Sequence, residues 1–183
     1  NLISYVNAMQ EAGRSAGKSV QLADAGGSKA GRLRIGWVAH AGPWKTRPAA
    51  MPMLLRKLNE STGAPVSFEW REVALSDASM FETPMLYLTG TTDFALGENE
   101  RANLRQFLLK GGVLFAEASD GRSTFDTAFR AEMAKVLPDH PLTRVSADSS
   151  LFREPNDVST VKLRPALAAQ LDKPTLSVDR LEA

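Results

Sequence analysis

Apolar and polar positions between residues 84 and 121 follow the order of a β-α-β unit. An apolar run at 85–88 is followed by a polar loop at 89–93, and Gly111 and Gly112 precede a second apolar run at 113–116. Between them, apolar residues recur at helical spacing: Leu104, Phe107 and Leu108. This order predicts two parallel strands joined by a right-handed crossover. The loops after both strands then lie at one edge of the sheet, where open α/β sheets bind ligands.

The segment from residue 33 to residue 71 predicts a strand, a helix and another strand. Alternation at 33–39 indicates a first strand that leads into a loop at 40–45. A helix is predicted next, because apolar residues recur at i, i+3, i+4 and i+7: Met51, Leu54, Leu55 and Leu58. Gly63 is placed to end this helix. Residues 66–71 alternate strictly, which is typical of a strand with one wet face at a sheet edge. In a strand order of 2-1-3-4, the loops after strands one and three flank a crevice, and residues 117–121 form its far wall.

The pattern continues beyond residue 121. Ser123 and Asp126 form an approximate capping box for a helix that Pro138 ends. Its core stripe comprises Phe125, Phe129, Met133, Val136 and Leu137. Further on, residues 158–163 and 175–181 predict strands, with a short helix at 165–171 between them. The predicted fold class is therefore α/β, a mostly parallel sheet with helices on both faces.

Composition sets broad limits on function. The chain has 183 residues, and its 22 basic residues balance 21 acidic ones, so no field attracts a polyanion and nucleic acid is not an expected partner. No apolar stretch reaches the roughly 20 residues that span a bilayer. The absence of cysteine excludes disulfides, thiolate metal sites and a cysteine nucleophile.

Residues 1–31 differ in composition from the rest. Thirteen of the twenty residues at 12–31 are Ala, Gly or Ser, which predicts a flexible linker, and a short helix precedes it at 2–9. We therefore expect an N-terminal helix and linker at 1–31 and one α/β domain at 32–183. Residues 12–19 match a relaxed phosphate-loop pattern that ends in Gly17, Lys18 and Ser19. A phosphate loop joins a buried strand directly to a helix, and neither flank here fits, so we interpret these residues as linker.

From Arg32 onward the chain resembles a known family, domain-of-unknown-function family 4159. The matching segments are 54–63, 84–90, 109–116, 125–126, 129–133 and 138–142, together with the loop that carries Gly42 and Trp44. The resemblance implies a flavodoxin-like fold within the class I glutamine-amidotransferase-like superfamily. It also implies a bacterial protein, often exported or envelope-associated, with flanking domains, and a chain that continues through one more strand.

The amidotransferases of that superfamily carry a nucleophilic cysteine on the turn that corresponds to residues 117–121. Here the turn reads Glu-Ala-Ser-Asp-Gly, so glutamine hydrolysis by a thiol is excluded. Ser119 is a candidate nucleophile, but it lacks the Gly-x-Ser-x-Gly elbow and needs a base within hydrogen-bond reach. Glu117 and Asp120, near Asp93, are a candidate carboxylate pair for proton transfer or a hard cation. The alternative is that they cap a helix or satisfy turn amides.

Other candidates come from the same edge of the predicted sheet. His40 follows the first strand and His140 follows the last clear helix; two scattered histidines are a weak metal signal, and each also fits a structural role. Trp44, with Lys45 and Arg47, fits either a stacking platform for a sugar or an anion, or a lid on the end of the sheet. The loop after the third strand adds Thr89, Gly90 and Thr91 as candidate ligand-binding residues.

The turn without a cysteine predicts a non-catalytic binding or accessory domain, and the resemblance implies that it is part of a larger bacterial protein. We expect no metal and no cofactor, an unknown small molecule or sugar as ligand, and a flanking domain of the same polypeptide as partner. The alternative is a hydrolase that uses Glu117, Asp120 and His40 or His140, with or without a divalent metal. A purely structural domain is the third possibility.

Overall fold

The computed structural model describes residues 31–61, 66–152, 157, 159–177 and 182. The predicted N-terminal helix, the linker, the phosphate-loop pattern at 12–19 and Gly63 lie outside the described residues. Described residues up to Pro141 and those from Leu142 onward belong to two compact units, and each is described by itself.

The first unit is built on a four-stranded parallel sheet. Its strands are β1 (Gly31–Ala39), β2 (Val66–Ala74), β3 (Met85–Gly90) and β4 (Val113–Ala118). They are arranged in the order β2-β1-β3-β4, and every neighbouring pair is parallel. The predicted α/β fold and strand order are confirmed, and all loops that follow the strands lie at one edge.

Helices cover both faces of this sheet. They are α1 (Ala50–Ser61), α2 (Glu98–Leu109) and α3 (Ser123–Val136). On the α1 face, buried apolar residues of helix and sheet form one cluster: Ile35, Trp37, Met51, Leu55 and Tyr87. On the opposite face Phe125 of α3 packs so closely on Gly90 that a Cβ there would lie 2.7 Å from its ring. Pro52 lies in the first turn of α1, where its missing N–H leaves no bond unmade.

The two edge strands of the sheet agree with their sequence patterns to different extents. β2 lies at the sheet edge, as its alternation predicted. β4, whose apolar run indicated a strand covered on both faces, is the other edge strand among those described. Val113 is 54% and Phe115 41% exposed on its α1 face. The apolar run does not reveal this exposure, because α1 packs over the β1 side of that face and a run of apolar residues does not show which helix covers a strand.

Helix α3 begins without the predicted capping box. Arg122 is its N-cap residue and makes no side-chain cap hydrogen bond, while Asp126 binds Arg130 at 2.9 Å. A buried glutamate, Glu132, interrupts the apolar stripe of the helix at 3% exposure. Its carboxylate accepts two hydrogen bonds from Arg101 of α2, at 2.7 and 3.3 Å, and one from Lys135 at 2.8 Å. The ion pair of Arg101 and Glu132 joins α2 to α3 on the sheet face opposite α1.

The second unit has a short antiparallel pair among its described residues. β5 (Thr160–Lys162) pairs with β6 (Thr175–Ser177), and α4 (Pro165–Leu171) lies between them in sequence. The helix has the predicted bounds, and both strands fall within the predicted segments. In the part of the chain that the structure describes, no helix is long and apolar enough to cross a membrane.

Candidate functional site

Three loops meet at the carboxyl ends of β1, β3 and β4, and we call residues 40–49, 91–97 and 119–122 the loop cluster. The hydroxyl of Thr46 donates to Oγ of Ser119 at 3.0 Å, and the guanidinium of Arg47 forms an ion pair with Asp120. Because β3 lies between β1 and β4, the loop after β1 crosses the end of β3 to make these contacts. Asp93 is also close, since its carbonyl oxygen lies 3.2 Å from the position of a Cβ on Gly42.

His40 lies inside the loop cluster and is 8% exposed. Its Nδ1 accepts the backbone N–H of Gly42 at 3.0 Å, so its Nε2 carries the proton and donates to the carbonyl of Thr89 at 2.9 Å. The ring packs against Phe94, with centroids 4.7 Å apart, and against Phe125 at 6.2 Å. Burial lowers the pKa of His40, and the hydrogen bond to Thr89 offsets only part of that effect. The imidazole is therefore neutral near pH 7, with both nitrogens engaged.

Ser119 occupies a tight strand-to-helix turn. It is 2% exposed, and the next residue, Asp120, has a left-handed backbone with φ of 57°. Asp tolerates this conformation better than most residues because its short side chain bonds locally. No nitrogen of His40 is left to accept the proton of Ser119, whose recorded partner is the hydroxyl of Thr46. Because the Thr46 hydroxyl donates to Ser119, it does not take the proton of the serine, so this arrangement does not activate the serine.

The two candidate carboxylates at the end of β4 have different partners. Glu117 is exposed and its Oε2 accepts the hydroxyl proton of Tyr87 at 2.8 Å, whereas Asp120 pairs with Arg47. Glu117 is the register partner of Thr89, so both side chains lie on the α1 face of the sheet. In the described ranges, no group of three or more His, Cys, Asp or Glu side chains is arranged to hold a metal ion.

Trp44 connects the loop cluster to the core. Its ring meets that of Trp37 edge-on, with centroids 5.4 Å apart and an interplanar angle of 85°. The ammonium of Lys45 lies 5.0 Å from the Trp44 ring centroid and also pairs with Glu72. Lys45 and Arg47, the two cations of this loop, thus form ion pairs. Their electrostatic attraction for an anionic ligand is weaker as a result.

The remaining candidates are placed as follows. Gly90 is buried under the ring of Phe125, and the carbonyl of Thr91 accepts the hydroxyl of Thr124 at 3.1 Å, which binds this loop to α3. His140 is exposed and follows the carboxyl end of α3, which begins at the loop cluster and runs to the opposite edge of the sheet. His140 is therefore not part of the cluster.

Sequence reasoning missed several residues of the cluster. Thr46 reaches Ser119 over a separation of 73 residues, and Phe125, expected only in a core stripe of its helix, packs with Phe94 against His40. The buried Glu132 was also missed; it lies next to Met133 of the predicted stripe, and a charged residue beside a predicted core position is the signal that could have indicated a buried ion pair.

Comparison with known proteins identifies one family. Residues 31–176 match the family model described as "Domain of unknown function (DUF4159)". No curated protein matches the chain. A solved structure described as "Solution structure of a phosphate-loop protein" is 14% identical, with 60% of this chain and 95% of that chain covered, and has a TM-score of 0.24. A TM-score that low supports no inference about this chain.

Proposed function

The chain belongs to the DUF4159 family, and we propose that it is a non-catalytic domain that binds a small polar molecule at the loop cluster. The observation that carries the proposal is the state of His40. Its Nδ1 accepts from Gly42 and its Nε2 donates to Thr89, so it orders two loops instead of activating Ser119. His140, the other histidine of the sequence, follows the far end of α3.

The polar groups at the cluster surface support binding. Arg47 and Asp120 are exposed and form an ion pair where the loops after β1 and β4 meet, and the exposed Glu117 lies at the end of β4, two residues before Ser119. Polar groups that converge at the carboxyl edge of a parallel sheet, beside aromatic rings such as Trp44, are typical of ligand sites in α/β folds. Exposed side chains of this kind are accessible to a ligand from solvent.

A ligand screen by two-dimensional NMR tests this function. Neutral sugars, inorganic phosphate, nucleotides and divalent metal ions are added separately to the full chain. We expect at least one probe to give saturable shifts of amides in the loop cluster. Glu117→Gln should weaken that binding, while Glu60→Gln, an exposed control at the other end of α1, should leave it unchanged. If no probe shifts these amides, the proposal is wrong.

A hydrolase is the alternative, and the strand-turn-helix position of Ser119 favours it. Turnover of ester or peptide substrates that disappears in Ser119→Ala would replace the binding function with catalysis. Ser119→Ala also loses the contact with Thr46, so Thr46→Val serves as the control for loop disorder. Catalysis by Ser119 should survive in that control.

The wider context remains part of the proposal. By its resemblance to the amidotransferase-like superfamily, we propose an accessory domain of a larger bacterial envelope protein with flanking domains of the same polypeptide. Fractionation of cells that produce the tagged full-length protein tests this. Recovery in the cytosolic fraction alone would contradict it.

A further inference from the structure

Two buried polar atoms on the α1 face of the sheet have no hydrogen-bond partner in the part of the chain that is described. They are Nε1 of Trp37 and Oγ1 of Thr89. Trp37 is 1% and Thr89 2% exposed, so neither atom is solvated by bulk water. Buried polar groups are hydrogen-bonded in the great majority of cases, so each exception calls for an explanation such as an ordered water or a bound group.

The two residues are neighbours on adjacent strands. Trp37 of β1 is in register with Tyr87 of β3, and Thr89 lies two residues further toward the loop cluster. Strand spacing and rise place the two Cα atoms roughly 8 Å apart, on the same face. Thr89 is in turn in register with Glu117 of β4. We call Trp37, Thr89 and Glu117 the polar row.

The chemistry of the polar row alternates between donor and acceptor. The indole of Trp37 only donates, the hydroxyl of Thr89 donates and accepts, and the carboxylate of Glu117 only accepts. A ligand hydroxyl, which both donates and accepts, satisfies each of these groups. The rings beside the row, those of Trp44 and Tyr87, provide apolar surface for a carbon skeleton.

The charges around the row favour a neutral ligand. Lys45 and Arg47 are matched in number by Glu72 and Asp120, so these four groups carry no net charge whether or not their ion pairs are closed. Glu117 adds a negative charge that disfavours an anionic ligand. We propose that the polar row binds a neutral, hydroxyl-rich ligand of the monosaccharide class. This inference rests on the proposed binding function and names its ligand.

Access to the row requires movement of the loop after β1. Trp44 of this loop contacts Trp37, and Thr46 continues to Ser119 across the end of β3, which carries Thr89. The contacts at the far end are an ion pair whose side chains are each about half exposed and a hydroxyl pair in which Ser119 is buried. The exposed ion pair contributes little to stability, so its loss is a small cost against the two hydrogen bonds that the ligand supplies to Trp37 and Thr89.

The indole N–H of Trp37 reports on this binding directly. The full chain has three tryptophans and hence three indole resonances, which triple-resonance spectra assign and Trp37→Phe verifies. On titration with D-glucose, D-mannose and N-acetyl-D-glucosamine, we expect at least one sugar to shift the Trp37 indole resonance with a saturable, millimolar Kd. Thr89→Val should raise that Kd at least fivefold, and Thr89→Ser should restore it. Thr127→Val, at an exposed site of α3, is the matched control and should change nothing.

The outcomes separate this inference from the function on which it rests. Absence of a saturable Trp37 shift with all three sugars overturns the inference, as does a Kd that Thr89→Val leaves unchanged. If inorganic phosphate shifts the loop-cluster amides while the sugars leave Trp37 unmoved, the binding function stands and the sugar assignment falls. Turnover that depends on Ser119 would show that the domain is catalytic, whatever the result of the sugar titrations.

Discussion

The ring of His40 is joined to the carbonyl of Thr89 by a hydrogen bond of 2.9 Å, which connects the end of β1 to the end of β3. The other ring nitrogen holds the loop at Gly42. A protonated ring would direct a second N–H at the N–H of Gly42, so the neutral form is the one that fits. The structure thus uses this histidine to order loops.

We expect the protein to lose stability as the pH falls below about 6.5, the usual pKa of histidine in an unfolded chain. The pKa of His40 is lowered in the folded state by burial, so the unfolded state binds a proton first. The stability that neutral His40 contributes is therefore complete above its pKa in the unfolded chain. It is lost as the pH falls toward its pKa in the folded protein. Thermal denaturation between pH 5 and pH 7.5 measures it.

Substitutions at the two histidines test this assignment. His40→Gln should flatten the stability change between pH 5 and 7 and cost about 1–3 kcal/mol at pH 7.5, because buried groups lose their partners. The exposed His140→Gln should leave the profile as in the parent protein. An unchanged profile in His40→Gln would show that another group titrates.

Arg101→Met should destabilise the protein by about 2–4 kcal/mol, since it leaves the buried carboxylate of Glu132 with only Lys135 as a charged partner. Burial raises the pKa of Glu132, but the hydrogen bonds from Arg101 and Lys135 outweigh it, and the net pKa is lowered. Its contribution is therefore present above about pH 4.3 and is lost as the solution is acidified further. Urea denaturation gives the free energy of unfolding.

Two further variants calibrate that measurement. Arg56→Met breaks the exposed pair with Glu60 on α1 and should cost no more than about 0.5 kcal/mol. Arg101→Met combined with Glu132→Leu should recover part of the loss, because an apolar pair needs no charge compensation. If Arg101→Met alone lowers the free energy of unfolding no more than Arg56→Met does, Glu132 is solvated in solution.

Gly90→Ala should destabilise by about 1–3 kcal/mol through overpacking. The added Cβ would lie 2.7 and 2.8 Å from two ring carbons of Phe125, and the ring stacks on Phe94 with centroids 5.2 Å apart. Gly97→Ala, where the nearest atom is 3.5 Å away, is the milder comparison. Calorimetry gives the melting temperatures of both variants. Equal melting temperatures would contradict the close packing of Phe125 on Gly90.

Three substitutions at Asp120 separate backbone conformation from charge. With φ of 57°, this residue should tolerate Gly and Asn, whereas Ala should cost about 1 kcal/mol. The ion pair with Arg47 is about half exposed, so its loss alone should be worth no more than about 1 kcal/mol. Equal stability of Asp120→Asn and Asp120→Ala, by chemical denaturation, would show that the turn imposes no left-handed requirement.

Much of the first unit could be predicted because its elements are local. The spacing of Leu104 and Phe107 indicates α2 whatever lies elsewhere in the chain, and the alternation of β2 shows one wet face. The strand order 2-1-3-4 fits the flavodoxin-like fold that the resemblance implies, and the handedness of β-α-β crossovers then places the helices on both faces of the sheet. Even the short α4 was predicted with its observed bounds.

Residues by themselves did not reveal which groups meet. The sequence determined the elements, their order and the edge where the loops gather, because periodicity records burial relative to each element's own axis. Only the tertiary structure decided that Thr46 meets Ser119, that Arg101 compensates Glu132, that both His40 nitrogens are engaged and that β4 keeps an exposed face. Apart from the bond between His40 and Gly42, these contacts join positions 31 to 73 residues apart or depend on which helix covers which strand, and no local pattern encodes either.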